Sequence, residues 1–141
     1  MTIIIGYGNK LRGEDSFGLE VIKKLKKEKL KNTQLLSLFQ LTPELCLDLL
    51  DASEIIFIDA KFSNTEHYSL SSNIEIDNSI NLSHHIAYRT IIDMLNTLYD
   101  RYPKYQVYSM CTNSFEKIGD IKTFYTVVDQ VTSYLIASSK N

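Results

Sequence analysis

Strand-like and helix-like segments alternate along the 141 residues, which predicts an α/β protein: a three-layer α/β/α sandwich on a mostly parallel sheet of roughly five strands. Two observations carry that expectation. The unbroken β-branched runs Thr2-Ile3-Ile4-Ile5 and Ile55-Ile56-Phe57-Ile58 are of the kind that fills a sheet covered on both faces. Between such runs apolar residues recur at helical spacing, as in Phe17, Val21, Ile22 and Leu25. The length suits a single domain over residues 1–141, able to bury roughly two-thirds of its unfolded surface. Its 44% hydrophobic and 23% charged content is that of a soluble globular chain, and no apolar run approaches the ~20 residues a membrane span needs.

The elements follow in order. A strand over 2–7 leads through a glycine-bearing turn into a helix over 15–29, and a strand over 33–39 comes next. A helix is expected over 43–51, with Thr42 as N-cap, Pro43 in the first helical position and Leu45, Leu49 and Leu50 as its apolar stripe. The strand over 54–60 is followed by an irregular Ser- and Asn-rich stretch, 61–82, expected near the sheet edge, with a short strand at 73–77. A helix over 84–102, a strand over 105–111 and a helix over 121–138 complete the series.

Composition excludes several classes of function. Formal charge is -2, and the basic residues concentrate between Lys23 and Lys31, the pattern of a solvated helix face rather than a nucleic-acid footprint. Cys46 and Cys111 stand far apart, so neither a redox pair nor a zinc ribbon is formed, and both read as small core residues. With no basic flank and apolar region at the N-terminus, no signal peptide is expected and the protein is assigned to the cytoplasm. No long apolar surface stripe is visible, so a monomer is expected.

The run Gly6-Tyr7-Gly8-Asn9-Lys10-Leu11-Arg12-Gly13-Glu14-Asp15-Ser16-Phe17-Gly18 joins the first strand to the first helix, at the carboxyl edge where open α/β sheets bind ligands. Glycine at 6 and 8 permits close backbone approach there. If the strands at 2–7 and 54–60 are parallel neighbours, Asp15 and Asp59 share one cleft, and His84 follows at the head of a later helix. Two carboxylates and an imidazole suit a divalent ion such as zinc, nickel or manganese, with positions left for water or substrate. Each residue also has a plainer reading. Asp15 or Glu14 would serve as a first-turn helix acid, Asp59 as a turn cap, and a lone histidine as a structural one. His85 competes with His84, while His67 sits in the irregular stretch without a paired carboxylate pattern. Gly6-x-Gly8 hints at a nucleotide-binding turn, but Leu11 occupies the third glycine's place. Cys111, at a strand end, is the candidate for a thiol hydrolase, without an identifiable His or acid beside it.

The segment GYGNKLRGEDSFG resembles the N-terminal signature of the hydrogenase maturation endopeptidases, roughly GxGNxLxxDDGxG. Further blocks agree in order: Phe39-Gln40-Leu41-Thr42-Pro43-Glu44-Leu45 is similar to a QLTPEL segment, and Ile56-Phe57-Ile58-Asp59-Ala60 to a strand ending in Asp-Ala. Ser83-His84-His85-Ile86 resembles a His-x-Leu/Met block, and Leu98-Tyr99, Pro103 and Ser114-Phe115-Glu116-Lys117-Ile118-Gly119 resemble later signatures. The resemblance implies a peptidase that removes a C-terminal extension from the large-subunit precursor of a nickel-iron hydrogenase after nickel insertion. It implies Asp15, Asp59 and His84 as the metal-contacting and catalytic trio, with nickel supplied by the precursor and zinc or cadmium able to occupy the site in vitro. Asn9 and Gln40 would hydrogen-bond the substrate tail. The chain departs from the pattern at Glu14, where aspartate is usual and the longer side chain could itself reach a metal. It departs also at Ser16, at Lys61-Phe62-Ser63-Asn64 in place of a Pro-Gly turn, and at Tyr88 in place of proline. A non-catalytic adaptor with the same precursor-binding cleft is the alternative.

Overall fold

The computed structural model describes residues 1–72 and 87–139. Five strands, β1 (Thr2–Tyr7), β2 (Thr33–Leu38), β3 (Glu54–Phe62), β4 (Ser69–Ser72) and β5 (Lys104–Thr112), form one sheet in the order β2-β1-β3-β5-β4. The first four in that order run parallel, and β4 closes the edge antiparallel to β5. The expected parallel pairing of the strands at 2–7 and 54–60 is present, with Gly6 opposite Ile58.

The period of two in these strands sorts their side chains to two cores. Ile4, Ile56, Ile58, Tyr108 and Met110 pack on one face against helix α1 (Phe17–Leu25) and helix α4 (Ile121–Ser139). Ile3, Ile5, Ile55, Phe57 and Val107 pack on the other against helix α2 (Leu45–Asp48) and helix α3 (Tyr88–Tyr99). Phe17 and Phe124 meet edge to face at 6.1 Å in the first core, and Tyr88 lies 5.6 Å from Phe57 in the second. Helices on both faces of a mostly parallel sheet make the α/β sandwich that the strand runs predicted.

Two glycines let α1 sit hard on the strand ends. A Cβ on Gly6 would lie 2.1 Å from the Gly18 carbonyl oxygen, and one on Gly18 would lie 2.2 Å from that of Ile58. No side chain fits either gap, so the start of α1 is fixed against the carboxyl ends of β1 and β3.

Several boundaries differ from expectation. A short 3-10 turn, Gly13–Ser16, precedes α1, which ends at Leu25 rather than 29. Past Leu25 the exposed residues Lys26 to Lys29 offer nothing to bury, and the backbone tightens, with Glu28 N–H donating to Leu25 O at 2.9 Å. The helix expected over 43–51 shrinks to α2, and Thr42 makes no side-chain cap. Its carbonyl instead accepts Leu45 N–H at 3.1 Å, because one tight turn already buries Leu41, Leu45, Cys46 and Leu49. Helix α3 stops at Tyr99, where Asp100 turns left-handed (φ 53°) three residues before Pro103. Strand β3 runs on to Phe62, two residues beyond 60. The strand expected at 73–77 and the first residues of the helix expected from 84 lie outside the described residues.

Since a Cβ on Gly6 would meet the Gly18 carbonyl oxygen, Gly6→Ala is expected to cost about 2–4 kcal/mol. Urea unfolding monitored by far-UV circular dichroism would register it, and a change below about 0.5 kcal/mol would contradict the packing.

Candidate functional site

On the face that carries α2 and α3, each apolar strand row turns polar at its carboxyl end. Ile3 and Ile5 lead to Tyr7, Ile55 and Phe57 to Asp59, and Val107 to Ser109. Asp59 and Ser109 are register partners on β3 and β5. Ser109 Oγ donates to Asp59 Oδ1 at 2.5 Å, and the Tyr7 phenol donates to Oδ2 at 2.8 Å. Burial pushes the Asp59 carboxyl up to about 6. The two hydroxyl donors and Lys61 oppose that shift, while the charge of nearby Asp15 adds to it. Tyr7 is pushed well above its ordinary range by burial and then by Asp59, so its phenol stays a donor.

Asp15 reaches this place from the other side. Its Oδ2 accepts the Asn9 N–H at 3.0 Å, folding the loop after β1 back onto the 3-10 turn. Gly8 (φ 150°) makes the crossing possible, since a Cβ there would sit 2.0 Å from the Asp15 carbonyl oxygen. Asp15 therefore does not cap α1; Ser16 precedes that helix and no side chain caps it. Asp59 does not cap a turn either, because β3 continues past it. Asn9 Oδ1 accepts Leu11 N–H at 2.9 Å, and Gln40 is exposed after β2.

The neighbouring acid has a different fate. Glu14 is wholly buried, and its carboxylate gathers donors from separate segments. Thr112 Oγ1, at the end of β5, donates to Oε1, and Gly119 N–H donates to Oε2 at 3.3 Å. His67 Nε2 lies 3.0 Å from Oε1 and 3.3 Å from Oε2. Burial would raise the Glu14 carboxyl, but hydrogen bonds from Thr112, Tyr68, His67 and Gly119 outweigh it and hold the group below its ordinary value. An ionised carboxylate only accepts, so His67 Nε2 is the donor. The His67 ring in turn stacks on Tyr68 at 3.8 Å. His67, which has no partner legible in the sequence, is thus paired with a carboxylate 53 residues away. Glu14 is occupied by this network and does not extend toward Asp59 as a longer metal-reaching arm.

Of the three expected site residues, Asp15 lies within electrostatic reach of Asp59, while His84 and its competitor His85 lie outside the described residues. Among the described residues no group of three His, Cys, Asp or Glu is arranged to hold a metal ion. Cys111 is buried with its sulfur 3.8 Å from Ser71 Oγ, and Cys46 is buried as well, so both are core thiols. A nucleotide phosphate is disfavoured at the turn, since Asp15 already takes a loop N–H and adds negative charge there.

The chain shares its α/β fold with solved structures of hydrogenase maturation proteases. It superposes on the hydrogenase maturating endopeptidase HybD from E. coli with a TM-score of 0.80 at 17% identity, covering 99% of this chain and 91% of that one. With the NiFe hydrogenase maturation protease HycI from Thermococcus kodakarensis KOD1 the TM-score is 0.78 at 16% identity, over 99% and 92% of the two chains. An endopeptidase from Escherichia coli gives 0.71 at 19% identity, over 97% and 91%. No protein-family model matches the sequence, and no curated protein matches it by sequence. No helix among the described residues is long and apolar enough to cross a membrane.

The two acids should respond to substitution in opposite ways. Asp59 holds its proton more tightly folded than unfolded, so its contribution to stability falls as pH rises from ~4 through about 6, on the order of 3 kcal/mol in all. Asp59→Asn should therefore be more stable than the parent at pH 8, with the gap closing below pH ~4; thermal melts across that range would show a flat difference if the carboxyl were unperturbed. Glu14→Gln removes a charge that buried donors require, and should cost about 2–4 kcal/mol in urea titrations at neutral pH. A neutral outcome would mean that the network does not hold the turn.

Proposed function

We propose that the protein is an endopeptidase that removes the C-terminal extension from the large-subunit precursor of a nickel-iron hydrogenase once nickel is in place. The observation that carries this reading is Asp59 held at the carboxyl end of β3 by Tyr7 and Ser109, within electrostatic reach of Asp15, in a sheet whose fold matches solved hydrogenase maturation proteases. The resemblance of the turn and of the later blocks supports it. His84 is the third contact in this reading. It precedes Tyr88, the first residue of α3, by four positions, and Tyr88 packs on Phe57 in the same side-chain row as Asp59.

The nickel is cargo of the substrate. Asp15 and Asp59 meet it with oxygen donors, as a cation of intermediate hardness accepts, and so bring the nearby peptide bond to the strand ends. Hydrolysis adds the oxygen of a water to the scissile carbonyl carbon, breaks the C–N bond and delivers a proton to the departing amine. On this reading the protein acts as a cytoplasmic monomer on one partner, the precursor.

Purified protein and its Asp15→Asn, Asp59→Asn and His84→Ala variants, incubated with nickel-loaded and nickel-free precursor, test the proposal. The parent should cleave only the nickel-loaded form, and each variant should lose at least about 100-fold in rate. Full activity in all three variants would overturn the site. Binding of the loaded precursor without cleavage by the parent would make the protein an adaptor instead.

A further inference from the structure

Asp59 is held by two hydroxyls from two other strands, and neither hydroxyl has another evident purpose. Tyr7 ends β1 and packs its ring against the core under α2 and α3, a task a phenylalanine would perform equally well. Its phenol oxygen is spent on Asp59 Oδ2 at 2.8 Å. Ser109 is buried inside β5 between Tyr108 and Met110, in a row that Val107 begins with an apolar side chain. A hydroxyl there is costly unless it is hydrogen-bonded, and its acceptor is Asp59 Oδ1 at 2.5 Å. Each carboxylate oxygen thus takes one donor, and the carboxylate is pinned across three adjacent strands, β1, β3 and β5.

We propose that Tyr7 and Ser109 are positioning residues for substrate binding and cleavage: they fix the plane of the Asp59 carboxylate, so that only its remaining lone pairs face a cation. The inference rests on the peptidase reading for its role in cleavage, but its geometric content does not. A carboxylate with one donor on each oxygen keeps one lone pair per oxygen for a metal and cannot rotate without breaking a bond to a neighbouring strand. This is support of the kind that metal-contacting carboxylates require, supplied here by the sheet itself. Neither residue touches the substrate in this proposal; both act through Asp59.

Tyr7→Phe and Ser109→Ala each remove one donor, and Ser109→Thr restores it with a side chain suited to a strand. Calorimetric titration with cadmium alone reads the geometry, and turnover of the nickel-loaded precursor reads its use. Cadmium affinity should fall about 10-fold in Tyr7→Phe and in Ser109→Ala, within the range seen when supporting contacts to metal ligands are lost, and recover in Ser109→Thr. Turnover should fall in kcat/KM for the nickel-loaded precursor, because the cation that Asp59 meets is part of what the precursor presents. Parental cadmium affinity in both donor-removing variants would overturn the proposal, as would failure of the parent to bind cadmium at all. If the parent binds cadmium but cleaves no precursor, the peptidase reading fails while the affinity series still decides the roles of Tyr7 and Ser109. Near-UV circular dichroism accompanies each variant, and a loss of affinity that Ser109→Thr fails to recover counts against positioning.

Discussion

The Glu14 carboxylate, fully buried and ionised, is the constraint on which the site depends. An isolated charge in that position would be expelled or neutralised, so its burial is tolerable only while several donors converge on it. Those donors come from the end of β5 (Thr112), from the segment before β4 (His67 and Tyr68) and from the loop before α4 (Gly119). One side chain therefore ties three segments to the 3-10 turn. With Glu14 committed inward, its neighbour Asp15 is left to close the loop on Asn9 and to stand near Asp59. The loops around the strand ends are held by polar convergence because there is too little apolar surface there to hold them by burial.

The alternation of the strands supplies the other half of the arrangement. Residues of one parity along β1, β3 and β5 form a continuous apolar row under α2 and α3, and the same parity continued to the carboxyl ends delivers Tyr7, Asp59 and Ser109 side by side. A one-residue slip of β3 against β5 would send Asp59 to the opposite core, so the apolar rows that fix register also aim the carboxylate. The glycine contacts between Gly6, Gly18 and Ile58 then set how near the turn bearing Glu14 and Asp15 approaches those strand ends.

Much of this is legible in the sequence, for identifiable reasons. The β-branched runs of β1 and β3 admit few alternatives, and Gly6 with Gly8 before a pair of acids marks a turn pressed against its strand. Parallel pairing of β1 with β3 puts Asp59 beside the turn that carries Asp15, while their choice as site residues comes from the family resemblance. The Glu14–His67 pair could not be read, because it joins residues 53 apart through a segment with no periodicity. A glutamate where the family resemblance expects aspartate was the available signal, and its extra methylene is used to reach His67 and Gly119 rather than a metal. Helix α1 is shorter than its pattern implies because Lys26 to Lys29, charged residues of good helix propensity, extend the pattern past Leu25, the last residue of the helix that the core buries, and α2 is shorter because a single turn already buries its apolar residues.

The contrast between the two acids explains how one small fold can hold a site without collapsing around it. Glu14 is saturated with donors and sits below its ordinary pKa, which makes it a structural charge that stabilises the fold when ionised. Asp59 has two neutral donors against strong desolvation and a nearby like charge, so ionising it works against the fold near neutral pH. That deficit can be relieved by protonation or by a cation placed beside it, and on the proposed function the cation arrives with the precursor. Binding of the right substrate would then recover stability that the free protein forgoes, whereas a precursor without its metal would leave the Asp59 deficit uncompensated. On the proposed function, the same electrostatic frustration that costs the unliganded protein stability would be the means of telling a loaded precursor from an empty one.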